Sequence, residues 1–175
     1  MRIPLILALA VLSLSAWAQQ APITLSPATV SSRLLRVSAA NRAMSQLAHI
    51  GEKRGATAAV RRYARRVALD HEKVQASLQD KADSLGINLK SLAAATNPLP
   101  DQQLEQQLKA VAPTDFDHEF LTAMAVQNRQ MIPLLDQGAR QPGAGPLQTL
   151  MRRIVAIVQI HVTLAEILLK PGAPA

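Results

Sequence analysis

Four side chains able to hold a proton or a metal ion sit near the midpoints of four apolar stripes: Met44, His71, Asn128 and His161. Two imidazoles, an amide and a thioether on facing helices allow two kinds of chemistry. One is a soft-metal site, with His71 and His161 as nitrogen ligands and Met44 as a sulfur ligand. That donor set suits copper better than iron. The other is a structural polar layer. There His71 and His161 are core histidines bonded to each other, to Asn128 or to a water, because a buried polar group needs a partner. The structural reading is preferred, since a methionine at heptad spacing more often simply fills core space. Asp70 and Glu72 flank His71 but point off its stripe, and are expected to pair with Arg66 and Lys73 at the surface. His49 and His118 lie off the stripes and are expected to be exposed, with no chemical role. A second charged feature is the basic group Arg61, Arg62, Arg65 and Arg66, with Lys53 and Arg54 nearby. The preferred reading is structural, since in a crossover topology Asp115, Asp117 and Glu119 start at the same end and partly neutralise it; the alternative is docking on an anionic membrane or envelope surface.

The elements that must position these residues are long helices. Residues 57–85 carry Val60, Ala64, Val67, His71, Val74, Leu78 and Leu85 at alternating spacings of four and three, with Lys81 and Ala82 filling the last gap. That is one stripe on one helix. Thr57 is its expected cap, and Gly86 closes it. Before it, Ser26-Pro27 reads as an N-cap followed by proline at the first helical position. It opens a helix over 28–54 striped by Val30, Leu34, Val37, Asn41, Met44, Ala48 and Gly51. Residues 115–139 form a third long helix with Phe116, Phe120, Leu121, Met124, Asn128, Met131 and Leu135 inward. Thr114 and Asp117 resemble its capping pair, and Pro133 should kink it near residue 129. Asp115, Asp117 and Glu119 are favoured at its start by the helix dipole. After the loop Gln141-Pro142-Gly143-Ala144-Gly145-Pro146, residues 147–170 carry the last stripe: Leu147, Met151, Ile154, Val158, His161, Ala165 and Leu168.

Four such stripes predict a four-helix bundle. The first and last connections are short, which favours antiparallel neighbours. The middle connection, from Gly86 to Pro113, holds 28 residues and a short helical piece at 101–111. A 24-residue helix is about 36 Å long, and 28 residues can run its length. The expectation is therefore a ferritin-like bundle with a long crossover. An up-down-up-down bundle, with the short helix across one end, is the alternative. Either topology places the four midpoint residues within about 10 Å of one another along the axis.

Composition narrows the function classes. The chain has no cysteine, so thiolate metal sites and thiol catalysis are excluded. Arg2, the apolar run 5–14 and Ala16-Trp17-Ala18 read as a cleaved export signal over 1–18. A leader at 19–28, the bundle at 29–170 and a disordered tail at 171–175 complete the expected organisation. Once Trp17 leaves, only Tyr63, Phe116 and Phe120 remain as aromatics, too few for a base-stacking or sugar-binding platform. The formal charge of +7 mostly serves to keep a small domain soluble; as a binding signal outside the cytoplasm it points to anionic envelope surfaces rather than nucleic acid.

The pieces Val60-x-x-Tyr63-Ala64 leading to Asp70-His71, Phe116-Asp117-x-x-Phe120, and Gln159-x-His161 followed by Ala165 carry a resemblance in their order and spacing. Over about residues 30–169 the chain resembles the exported bacterial proteins grouped as domain of unknown function 4142. That family is described as ferritin-like and is sometimes labelled predicted outer membrane protein. The resemblance implies a glutamate at the midpoint of the first helix and a histidine at that of the third. Met44 and Asn128 stand there instead, while His71 and His161 match. Ferritin-like di-iron sites also need Glu-x-x-His pairs. Ala68 and Val158 occupy the positions three before the two histidines, so an oxidase or iron-storage site is not expected. The chain thus reads as an exported periplasmic, non-enzymatic, all-α bundle with a structural or binding role. Copper binding at the histidine layer and docking through the arginine-rich end are its two alternatives.

Overall fold

The computed structural model describes residues 26–96, 102–140 and 145–172, and the description below concerns these residues alone. Six helices occupy them: α1 (Pro27–Arg54), α2 (Ala58–Ser84), α3 (Leu89–Thr96), α4 (Gln102–Ala110), α5 (Phe116–Ala139) and α6 (Gly145–Leu168). The expected export signal, most of the leader, residues 97–101, residues 141–144 of the 141–146 loop and the last three residues of the tail lie outside the described residues.

Local chemistry starts and stops the helices much as the sequence predicts. The Ser26 hydroxyl accepts from the Thr29 amide at 3.2 Å, with Pro27 in the first turn. The Thr57 hydroxyl accepts from the Val60 amide at 3.2 Å. After α2, Gly86 takes φ of 69°. There the amides of Gly86 and Ile87 return to the carbonyls of Asp83 and Ala82. This paired closure needs a left-handed residue, which glycine supplies at low cost. The α5 start differs from expectation. Its N-cap residue, Asp115, makes no side-chain cap bond. Asp117 turns instead to the α1–α2 connection, where its carboxylate accepts from the Ala56 and Thr57 amides and the Thr57 hydroxyl at 2.8–2.9 Å. A charge with three donors in reach on a neighbouring turn prevails over a local cap. α5 continues through Pro133 to Ala139.

The second difference is α3. The 28-residue connection holds two short helices rather than one. The Asn88 side chain accepts from the Ser91 amide at 3.0 Å, and Leu89 is buried. A cap and one anchored leucine stabilise a short alanine-rich helix that periodicity alone does not reveal.

Contacts between elements define the bundle. α1 packs on α2 and α5, and α6 packs on the same two helices from the other side. Arg54, at the end of α1, stacks over Phe116 at the start of α5 with 4.6 Å to the ring centroid. Arg33, at the start of α1, bonds the Gln137 carbonyl near the end of α5. α1 and α5 are therefore antiparallel, and α2 and α5 run the same way. The connection from α2 to α5 returns along the bundle with α3 and α4 against α1. This is the crossover topology. The Arg54 guanidinium fastens its far end by donating to the Leu108 and Val111 carbonyls.

The predicted stripes form the core. In α2, Val60, Ala64, Val67, His71, Val74, Leu78 and Ala82 are all buried, while Leu85 ends up exposed at the cap. In α5 all seven inward positions are buried, and in α6 only Leu168 is partly exposed. Phe116 and Phe120 stack with centroids 5.7 Å apart, and Tyr63 meets Phe120 edge-on at 6.2 Å. Gly51 sits directly under Phe120: a Cβ there would fall 2.2 Å from the ring. The glycine lets α1 approach the ring at a stripe position where a side chain would collide.

Candidate functional site

His71, Asn128 and His161 each have no solvent exposure. The two imidazoles come together at the centre of the bundle, with ring centroids 5.2 Å apart and planes tilted by 48°. The α1 residue bonded to this layer is Asn41, also fully buried. Its Nδ2 donates to the His71 carbonyl at 2.8 Å and to Gln75 Oε1 at 3.1 Å. Its Oδ1 lies 2.8 Å from His71 Nδ1. Ser38 extends the network, accepting from Gln75 Nε2 at 2.9 Å.

This network assigns the protons. Asn41 Oδ1 is an acceptor, so His71 Nδ1 carries the hydrogen. Burial, with the neighbouring His161 second, pushes His71 down to a pKa of about 3 against smaller opposing effects of Asp70 and Asn128. The ring is neutral at ordinary pH, and its Nε2 is a bare lone pair. His161 Nε2 lies 3.2 Å from Asp70 Oδ2 and donates to it. Burial lowers the pKa of His161 as well, with Asp70 opposing. Its Nδ1 is therefore also a bare lone pair. Burial raises the Asp70 carboxyl, but hydrogen bonds from Arg66 and His161 outweigh that, and its pKa falls below the usual value. Arg66 Nε donates to the same Asp70 oxygen at 2.7 Å. Tyr63 donates its hydroxyl to the His161 carbonyl at 3.2 Å, and burial raises its pKa.

Asn128 completes the layer. Its Nδ2 donates to the Met124 carbonyl at 2.8 Å, which fixes the amide orientation. Its oxygen is left over. Asn128 would stabilise a protonated His71 by accepting from it, but the neutral ring has no proton to give on Nε2. Three buried atoms of the layer therefore have no hydrogen-bond partner among the described residues: His71 Nε2, His161 Nδ1 and Asn128 Oδ1. With the assigned tautomers all three are acceptors, and no protein donor meets them.

Met44 is buried on α1 one turn from Asn41. It lines a groove of about 250 Å³ between α1 and α5, together with Leu47, Gln127, Gln130, Met131 and, from α4, Glu105. The sequence singled out Met44 for the layer, whereas Asn41 makes its hydrogen bonds. A signal for Asn41 exists: it lies fifteen residues before Ala56, and His71 lies fifteen after it. An antiparallel pair turning at Ala56 brings those two positions level.

Asp70 does pair with Arg66 as expected, and it also reaches inward to His161. Glu72 approaches His49 at 3.3 Å rather than Lys73. His49 is part-exposed beside Glu52 and Glu72, and His118 is exposed. Among the arginines, Arg61 donates to the Gly55 and Ala56 carbonyls at 2.7 Å, Arg65 pairs with Glu52 at 2.8 Å, and Arg62 is exposed. Among the described residues no three His, Cys, Asp or Glu side chains gather as a metal cluster, and no helix is long and apolar enough to cross a membrane.

Comparison with curated proteins and with solved structures brings up no match. Residues 14–168, most of the chain, match the family described as Domain of unknown function (DUF4142). The chain belongs to that family.

Proposed function

We propose that this chain is an exported periplasmic helical bundle with a binding, non-enzymatic role, and that its core layer binds one transition-metal cation of the copper class. The observation that carries the reading is the set of three buried acceptors with no donor among them: His71 Nε2, His161 Nδ1 and Asn128 Oδ1. A single water has two protons to donate and leaves one acceptor unmet. A cation held between them would satisfy all three lone pairs at once. Each imidazole also donates its other N–H to an oxygen, of Asn41 in one case and Asp70 in the other. That is the arrangement in which metal-ligating histidines are held. With metal–nitrogen bonds of about 2.1 Å, two imidazoles sharing an ion at roughly 110° place their centroids about 5 Å apart, close to the 5.2 Å separation here. Two nitrogens and a neutral amide oxygen carry no net charge. A carboxylate-rich iron or magnesium site differs from this set, whereas imidazole ligands suit copper and zinc. Export is supported by the apolar run 5–14 and the Ala16-Trp17-Ala18 site. Envelope docking through the arginine-rich end has weaker support, because Arg61, Arg65 and Arg66 are already bonded within the chain.

The test is thermal unfolding of the chelator-stripped protein with Cu(I) under reductant, and separately with Zn(II). At free metal a hundredfold above Kd, binding adds about 2.7 kcal/mol, or roughly 5–10 °C for a chain of this size. The rise should grow with the logarithm of free metal, a direct titration should give one equivalent bound, and both should vanish in His71→Ala and His161→Ala, each compared with its own metal-free state. No rise with either metal at saturation would overturn the reading.

A further inference from the structure

We infer that the α1–α5 groove is the entry path of the core site, and that Met44 and Met131 pass it a soft monovalent cation, Cu(I) or its analogue Ag(I). The inference rests on the metal reading above and adds a route and an oxidation state. Both methionines line the groove, and both are 3 % exposed. They form its floor rather than its rim. The antiparallel pairing that sets Gly51 against Phe120 and Arg33 against Gln137 brings Met44 level with Val126 and Gln127. Met44 lies three residues after Asn41, and Met131 three after Asn128, so each shares a helix face with a member of the polar layer. The two thioethers thus line the groove one helical turn from Asn41 and Asn128. Gln127, Gln130 and Glu105 border the groove with polar groups. Thioether sulfur is a weak ligand for hard or borderline dications but a good one for Cu(I). A neutral, flexible donor pair suits transient transfer, while the imidazoles hold the ion.

The experiment uses the full mature chain, stripped of metal, and the Met44→Leu/Met131→Leu double variant. Leucine conserves volume, and such exchanges are among the best tolerated core substitutions. Cu(I) uptake is followed against a chromophoric Cu(I) chelator, Ag(I) uptake by competition, and Zn(II) uptake with a zinc indicator. The expected result is a clear slowing of Cu(I) and Ag(I) uptake, because leucine offers a soft cation no ligand. Final occupancy and the Zn(II) rate should stay unchanged. Unchanged Cu(I) and Ag(I) rates would overturn the route. Equal slowing of all three metals would also overturn it, since the groove would then have been merely reshaped. A large loss of equilibrium Cu(I) affinity would make Met44 or Met131 a resident ligand and overturn the transfer role. Absence of any binding to the unmutated chain would instead overturn the metal reading itself.

Discussion

Mild acid should destabilise the metal-free protein, and His71 should account for a measurable share of the loss. The folded ring is held to a pKa of about 3, whereas an unfolded histidine titrates near 6.5. Because the folded pKa is depressed, the unfolded state binds the extra proton first as pH falls. The stability is fully present above about pH 6.5 and is lost down to about pH 3. The full shift corresponds to about 5 kcal/mol, at roughly 1.4 kcal/mol per unit. Between pH 7.5 and pH 5.0 the share from His71 is about 2 kcal/mol. That is a sizeable part of the 5–15 kcal/mol typical of a domain. The measurement is urea unfolding in the presence of chelator at pH 7.5, 6.5, 5.8 and 5.0, on the unmutated chain and on His71→Gln. Glutamine does not titrate and can still donate toward Asn41 Oδ1. The variant is expected to be less stable at pH 7.5 because the substitution disturbs the core. The quantity of interest is the difference in pH dependence, about 2 kcal/mol smaller in the variant over this window. Burial also depresses His161, which adds loss of the same sign in both proteins and cancels in the comparison. Equal pH dependence in the two proteins would refute a neutral, proton-excluding His71. The tautomer assignment and the three-acceptor argument would fall with it.

Two further outcomes check the packing that holds the layer in place. Gly51→Ala should cost about 1–3 kcal/mol by urea unfolding, the usual range for overpacking, because its Cβ would fall 2.2 Å from the Phe120 ring. A stability equal to the parent's would mean that α1 and α5 can separate freely. Asp117→Ala should cost about 2–3 kcal/mol, since it leaves three donors of the α1–α2 turn without their charged acceptor. The turn amides of Ala56 and Thr57 should then lose hydrogen-exchange protection ahead of the rest of α2. Retained protection there would show that the carboxylate does not hold the turn.

Periodicity made the helices and their inward faces legible. A long helix has one way to bury a stripe at spacings of four and three, so Val60 to Ala82 and Phe116 to Leu135 were assigned to the core from residue type alone. The cap residues Ser26 and Thr57 and the closing Gly86 were equally legible, because each acts within a few residues of itself. His71, Asn128 and His161 were recognisable as one layer for the same reason: each interrupts an apolar stripe near its midpoint. What escaped depends on neighbours distant in sequence. Met44 and Asn41 share a stripe, and only the α1–α2 register decides that Asn41 meets His71 while Met44 turns to the α1–α5 groove. Asp117 reads as a local cap until packing brings the Ala56–Thr57 amides into its reach. α3 is too short for periodicity to declare, and is held by the Asn88 cap and by Leu89 against the core. The three unpartnered acceptors lie furthest from the sequence. Which nitrogen of each imidazole keeps its proton is decided by Asn41 on one helix and Asp70 on another. A lone pair becomes available for a ligand only once those long-range bonds have formed. The chain by itself therefore determines the helices, their buried faces and the residue types at the centre. Tertiary structure determines the register, the protons and the chemistry left open there, because these depend on contacts that no local interaction specifies.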